Sequence, residues 1–199
     1  MIIKNYDIKF DLRDNYALDY TCYDEVVEKN SYKLTTRSTG IIIDIGANIG
    51  TFSLMASKYA DKVISYEPEP HNYRQLLKNI RINKLTNIYA NKLAIGKPGI
   101  ALINDNGGCS QLSIYSGSKC KVISMDDIPF DHCDFMKIDT EGAEDDIINN
   151  ASDETLNKID KFVMEIHPGT RKNLGKMGKK LEKFFDLTRY GGLLWGTKK

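Results

Sequence analysis

The chain has 199 residues and a mass of 22.6 kDa, about one domain at roughly 150 residues each. With 41% hydrophobic and 28% charged residues it falls with ordinary globular chains and not with disordered ones. Its 28 Lys+Arg against 27 Asp+Glu leave a net charge of +1, so bulk charge points to neither a nucleic-acid nor a membrane partner.

Taken in chain order, the first forty residues are rich in tyrosine and charge and are expected to form a cap over the open edge of a sheet. From residue 41 onward short apolar runs alternate with helix-period segments. The runs predict strands over 41–45, 62–67, 87–95, 134–139 and 160–166, with helices over 48–59, 71–83 and 142–150. Ile41-Ile42-Ile43 is apolar at every position, as a strand buried on both faces must be. Between 97 and 125 the pattern loosens around Gly107-Gly108 and Gly117, with an edge strand expected at Lys121–Ser124. Phe184 to Thr197 is strand-like on both sides of Gly191-Gly192, a hairpin signal. The expected fold is α/β: a mostly parallel sheet with helices on both faces and a C-terminal antiparallel hairpin, one domain over 41–199 preceded by the cap over 1–40.

The longest apolar run is four residues, Ile100 to Ile103, far short of the roughly 20 needed to span a bilayer. Met1 to Asp7 lacks the pattern of a signal peptide, so a cytoplasmic protein without integral membrane contact is expected. Cys22, Cys109, Cys120 and Cys133 show no paired spacing and are expected as free thiols.

The informative stretch is Asp44-Ile45-Gly46-Ala47-Asn48-Ile49-Gly50, a buried strand turning tightly into a helix whose free N–H groups face the carboxyl edge of the sheet. Glu67 stands seventeen residues after Gly50, at the end of the next strand and before Pro68, placed to accept both hydroxyls of a ribose. Here the spacing is Asp-x-Gly-x-Asn-x-Gly and not the Gly-x-Gly-x-x-Gly of a dinucleotide site. A carboxylate at the strand end repels pyrophosphate but suits a ligand bearing an ammonium and a sulfonium, as S-adenosylmethionine does.

Two further strands end on polar side chains: Asp139, Thr140 and Glu141 after one, Glu165-Ile166-His167 before Pro168 after the other. Ligands of open sheets lie outside these ends. His167 is the expected general base, since an unperturbed imidazole titrates near neutrality; Asp139 and Glu141 are expected to bind the methionine ammonium, offset the sulfonium or hold the acceptor. Glu144, Asp145 and Asp146 read as a solvated first helical turn. No spacing among the acids and His167 is diagnostic of a metal, and none is expected. Lys137 lies in an otherwise apolar strand, and equal register with its neighbour predicts an ion pair with Glu165.

The sequence resembles the FkbM-type S-adenosylmethionine-dependent methyltransferases. The resemblance rests on Asp44–Gly50, on Tyr66-Glu67-Pro68 followed by Asn79–Asn83, on Leu93–Gly96 and Ser124–Ile128, and most sharply on Met136-Lys137-Ile138-Asp139-Thr140-Glu141-Gly142-Ala143-Glu144, ending at Glu165-Ile166-His167. It implies a class I methyltransferase (Rossmann-like) fold and, most often, O-methylation of a sugar or natural-product hydroxyl. Asp44, Gly46, Ala47, Asn48, Gly50, Glu67, Pro68, Leu93, Ala94 and Asp139 are the positions expected to hold S-adenosylmethionine, with His167, Asp139 and Glu141 catalytic.

Residues 170–199 carry nine Lys/Arg against two acids, and Leu174, Met177, Leu181 and Phe184 recur among the lysines at helical spacing. A covering helix with a solvated basic face is expected, and an anionic partner such as RNA is the competing reading. A small-molecule or saccharide acceptor therefore leads, against a transfer-RNA methyltransferase or a non-catalytic nucleotide-binding domain. Ser110, Gln111 and Tyr115 are weaker acceptor contacts.

Overall fold

The computed structural model describes residues 1–14, 17–35, 40–104, 111–113, 117–167 and 174–199. Pro168, Ser110, Tyr115, Cys109, Arg171 and Lys172 lie outside them, and of Gln111 only the backbone is described. Tyr6 and Asp7 both take left-handed backbone (φ 49° and 62°), the twist of a two-residue hairpin turn, and join β1 (Ile2–Asn5) to antiparallel β2 (Ile8–Asp11). A helix, α1 (Ala17–Tyr23), follows and runs on into a π-helical turn, Asp24–Glu28.

The chain then enters the main sheet. β3 (Ile41–Ile45), α2 (Thr51–Ala56), β4 (Lys62–Tyr66), α3 (Pro70–Ile82) and β5 (Ile88–Asn91) form one half of it. β6 (Ala94–Ile95), β7 (Gly99–Asn104), β8 (Gln111–Ser113) and β9 (Ser118–Ile123) leave it to make a separate four-stranded sheet in the order β6-β9-β7-β8. β10 (Phe135–Ile138), α4 (Glu144–Asn150), α5 (Asp153–Leu156), β11 (Lys161–Glu165), α6 (Leu174–Leu181), β12 (Phe185–Tyr190) and β13 (Leu193–Lys198) complete the other half. The seven strands lie in the order β12-β13-β11-β10-β3-β4-β5. β13 is antiparallel to both its neighbours, while β11, β10, β3, β4 and β5 pair in parallel. The expected parallel sheet and C-terminal hairpin are both present.

Successive side chains of a strand point to opposite faces, and the core divides accordingly. Ile43, Ile45, Met136 and Ile138 pack with Ile147 of α4 and Met177 and Leu181 of α6 on one face. Ile42, Val63 and Val163 pack on the other with Phe52, Leu54 and Met55 of α2 and with Phe10, Val27 and Tyr32 of the N-terminal segment.

Three expectations change here. The strand expected over 87–95 is two: after Asn91 the chain leaves the main ladder, and Ala94 and Ile95 pair with Val122 and Ile123 instead. Apolar runs report burial, not the neighbour a strand pairs with. The helix expected over 48–59 is confined to Thr51–Ala56, because Asn48 (φ 51°) and Gly50 (φ 90°) keep the turn left-handed until Gly50. The N-terminal segment, expected over an open edge, packs on α2 and α3. Polar side chains of α3 hold it there: Asn79 Oδ1 accepts from the Asp11 N–H at 2.9 Å, and Asn83 Nδ2 donates to the Lys9 carbonyl at 2.7 Å.

Candidate active site

The turn after β3 is built on the end of β4. The N–H groups of Gly46 and Ala47 both donate to the Tyr66 carbonyl at 3.0 Å. Asn48 N–H then donates to Glu67 Oε2 at 2.7 Å, and Glu69 N–H donates to Glu67 Oε1 at 2.8 Å. Glu67 is 4% exposed. Burial pushes its carboxyl up to about 7, against the pull of those two backbone N–H groups. Each carboxylate oxygen accepts more than one hydrogen bond, so acceptor capacity remains toward the cavity that Glu67 borders.

Glycine is required at two places in this turn. Gly46 has φ 82°, and a Cβ there would sit 1.8 Å from the Asp139 carbonyl oxygen, so only glycine lets the ends of β3 and β10 lie side by side. At Gly50, with φ 90°, a Cβ would meet the Leu76 side chain at 2.4 Å, so this residue serves the packing of α2 on α3.

The cavity runs along the carboxyl ends of β3, β4, β10 and β11. Gly46, Asn48, Glu67, Pro68, Leu93, Ala94, Asp139 and Glu141 of the expected set line it. Ala47 and Gly50 are buried in the turn behind its wall. Asp44 lies beneath, with no exposure, accepting from Ser53 Oγ at 2.5 Å. Ile95 and Ile103 extend the apolar wall begun by Leu93 and Ala94.

Lys137 does not pair with Glu165 as equal register predicted. In the observed register Lys137 stands beside Val163 on β11 and Asp44 on β3, two residues short of Glu165. Its ammonium is 3.3 Å from Asp44 Oδ1 and 3.3 Å from Asp139 Oδ2, and donates to the Gly46 carbonyl at 2.7 Å. Burial alone lowers a lysine pKa, but the Asp44 and Asp139 charges outweigh it and hold Lys137 above the usual lysine value.

Past Asp139 the chain gathers carboxylates from several elements. Glu25 of the π-helical turn, Asp139, Glu141 and Glu165 all border the cavity. Glu165 is pushed up to about 7, by burial first and then by Asp139; Glu25 is raised for the same two reasons. His167 lies just behind. Its Nε2 is 3.4 Å from Glu141 Oε2, 3.8 Å from Glu165 Oε1 and 3.9 Å from Asp139 Oδ1. Burial lowers its pKa, but the Glu144 hydrogen bond and the charges of Glu144, Asp139 and Glu141 more than offset this and push it up to about 9. The surrounding carboxylates thus favour the protonated imidazole, and Glu144 engages its Nδ1.

Glu144, read from sequence as part of a solvated turn, has no exposure at all. Its Oε1 accepts from Thr140 N–H at 3.0 Å, Thr140 Oγ1 at 3.1 Å and Gly142 N–H at 3.1 Å, and lies 2.9 Å from His167 Nδ1. Residues 140–142 fold back over the start of α4 and enclose it. Among the described residues, two groups place donor atoms within 4.8 Å of one another, His132 with Asp134 and Asp160, and His167 with Asp139 and Glu141. In both, an imidazole nitrogen faces the acids: His132 Nε2 lies 3.0 Å from Asp160 Oδ2, and His167 Nε2 3.4 Å from Glu141 Oε2.

The Methyltransferase FkbM domain matches residues 44–191. This chain belongs to the FkbM methyltransferase family. Methyltransferase 1 of Beauveria bassiana (strain ARSEF 2860) is 22% identical over 158 residues, 63% of this chain and 64% of that protein, so the match spans less than two thirds of its length. Methyltransferase FkbM of Methylobacillus flagellatus KT superposes with a TM-score of 0.61 at 18% identity, over 87% of this chain and 47% of that one. A putative methyltransferase of Streptococcus mutans in complex with SAH gives 0.55 at 8%, over 90% and 97%. At these identities the likeness shows the fold, the mostly parallel sheet of class I methyltransferases.

Sequence reading of this FkbM-family chain missed Leu18, Thr21, Cys22 and Glu25, which form one cavity wall. They lie in a segment without motif that reaches the site by packing on α2 and α3. Glu165 and Glu144 had a signal: both fall inside the family resemblance, and both were assigned to other duties. Of the basic C-terminal segment, Leu174–Leu181 forms a helix that buries Met177 and Leu181 in the core, and β12 and β13 follow it. Lys180 Nζ donates to the carbonyls of Ile148 at 2.9 Å, Asn149 at 3.2 Å and Ala151 at 2.5 Å, capping α4. No helix among the described residues is long and apolar enough to cross a membrane.

Proposed function

We propose that this chain transfers a methyl group from S-adenosylmethionine to a hydroxyl oxygen of a small molecule or saccharide. The observation that carries the reading is Glu67, a buried carboxylate fixed by two backbone N–H groups at the mouth of the Gly46–Gly50 turn, in a cavity whose far end gathers Asp139, Glu141 and Glu165. The donor set suits that ligand: a carboxylate for the ribose hydroxyls, an apolar wall of Leu93, Ala94 and Ile95 for the adenine, and acids for the ammonium and the sulfonium. When bound, it supplies an electrophilic methyl group on sulfur. The residues at the far end then have two duties, to align the acceptor and to take its proton. Alignment in a closed site is worth about 7–11 kcal/mol, and a positioned base adds roughly 100- to 10,000-fold. Glu25, Asp139, Glu141 and Glu165 are ionisable acceptors that border the cavity, and His167 lies beside Glu141.

Labelled methyl transfer from S-adenosylmethionine to fractionated cell extract tests this. Label is expected in the metabolite or glycan fraction, and S-adenosylhomocysteine is expected to raise the melting temperature. Label confined to RNA would replace the acceptor class, and absence of any thermal shift at millimolar ligand would remove the donor.

A further inference from the structure

Four carboxylates, Asp139, Glu141, Glu144 and Glu165, surround His167; Glu25, raised by burial and then by the Asp139 charge, in turn raises Glu165. Of the other cations near this group, Lys29 acts on Glu25 and is paired with Asp24, and Lys137 is spent on Asp44, Asp139 and the Gly46 carbonyl. Like charges this close disfavour one another's ionisation, and a protonated carboxyl cannot receive a proton from an acceptor hydroxyl. A fixed positive charge among them is therefore a functional requirement of the proposed reaction.

Glu144 supplies the fixing. It lies at the first position of α4, fully buried, and holds one ring nitrogen of His167 while the other turns to the cavity rim. The same oxygen ties down Thr140 and Gly142, so the loop that carries Glu141 and the ring that faces it share one anchor. Buried and bonded on three sides, that anchor has no second place to go. We propose that Glu144 is a positioning residue: by gripping Nδ1 of His167 it sets the imidazolium as the common counter-charge of Asp139, Glu141 and Glu165, which leaves those carboxylates ionised to take the acceptor's proton. The inference rests on the methyl-transfer reading for its purpose, though not for its geometry. In the step it serves, the acceptor O–H bond breaks and its proton passes to a rim carboxylate. The oxygen bonds to the methyl carbon, and the carbon–sulfur electron pair returns to sulfur.

The chain has three histidines, so the His167 ring is resolvable by nuclear magnetic resonance. In the wild-type protein, nitrogen shifts are expected to show both ring nitrogens protonated at pH 7.5, and a neutral ring there overturns the proposal. In Glu144→Gln, which keeps an oxygen for Thr140 and Gly142 but loses the charge, the His167 midpoint is expected to fall by at least one pH unit, a tenfold loss of proton affinity. An unmoved midpoint in a folded variant also overturns it. If that variant does not fold, the wild-type ring state decides alone. Where transfer activity is found, the acid limb of kcat/KM is expected to move to higher pH in Glu144→Gln, while KM for S-adenosylmethionine stays within threefold; equal loss in both assigns Glu144 to structure only. The ring measurements need no methyl transfer, so they stand or fall apart from the proposed function.

Discussion

The Lys137 ammonium donates to the Gly46 carbonyl at 2.7 Å, which ties the central strand β10 to the turn that leaves β3. One buried cation thereby sets the relative height of Asp139 and the Gly46–Gly50 turn, two parts of the site that come from sequence positions ninety residues apart or nearly so. Replacing Lys137 by Met leaves Asp44 and Asp139 facing one another without compensation. Removing one partner of a buried pair costs about 3–5 kcal/mol. Urea denaturation is expected to show a loss of that size, with part of it recovered in Lys137→Met combined with Asp44→Asn. A loss under 1 kcal/mol in the single variant would mean the pair is not formed.

Glu67 links pH to ligand binding. Ribose hydroxyls donate to its ionised form, and burial holds the carboxyl at about 7 in the free protein. Affinity for S-adenosylhomocysteine is therefore expected to rise as pH goes from 6 to 8, by at most about tenfold per unit below pH 7. Calorimetric titration at several pH values measures it. Glu67→Gln should bind more weakly and lose this slope, and a wild-type affinity flat across the range contradicts the role given to Glu67.

Stability without ligand is expected to move the opposite way. Glu67 and Glu165 are raised from 4.5 to about 7, and His167 from 6.5 to about 9, so in each case the folded state binds protons the unfolded chain has released. Stability falls with pH wherever the folded state holds more protons. The carboxyl contributions are complete below 4.5 and lost through 7; the His167 contribution is complete below 6.5 and lost through 9. Chemical denaturation at pH 5.5, 7 and 8.5 is expected to give steadily lower midpoints.

The two glycines of the turn separate by what each would strike. Gly46→Ala drives a Cβ into the Asp139 backbone carbonyl, which cannot yield without moving β10, whereas Gly50→Ala meets the end of a leucine side chain that can turn aside. Both also carry the left-handed strain of alanine, about 1–2 kcal/mol. Gly46→Ala is expected to abolish S-adenosylhomocysteine binding, and Gly50→Ala to lower the melting temperature with binding retained. Equal behaviour of the two would deny the special tightness at Gly46.

Lys180 is expected to matter to folding and not to an anionic partner. Its ammonium caps three carbonyls at the end of α4, a charge-assisted arrangement with a typical contribution of about 1.5–3 kcal/mol. Lys180→Met should lower stability on that scale in thermal unfolding. The exposed Lys176 and Lys179 should tolerate the same change within about 0.5 kcal/mol.

What could be read from the chain alone was local. Ile41 to Gly50 announces strand, turn and helix because burial on both faces, left-handed glycine and a helix start are all properties of ten consecutive residues. The succession of strands and helices along the chain and the C-terminal hairpin follow from periodicities of the same local kind, whereas the order of strands in the sheet does not. Three-dimensional structure decided whatever depended on register or on a distant segment. Lys137 was rightly singled out as a buried charge, yet its partner changed from Glu165 to Asp44 because a shift of two residues along β11 is invisible in either strand's own pattern. Glu144 has the sequence of a solvated helix start and is fully enclosed only because residues 140–142 fold back on it and His167 arrives from the next strand. Glu25 and Cys22 join the cavity because the N-terminal segment packs on α2 and α3, contacts between segments far apart in sequence that no local period encodes.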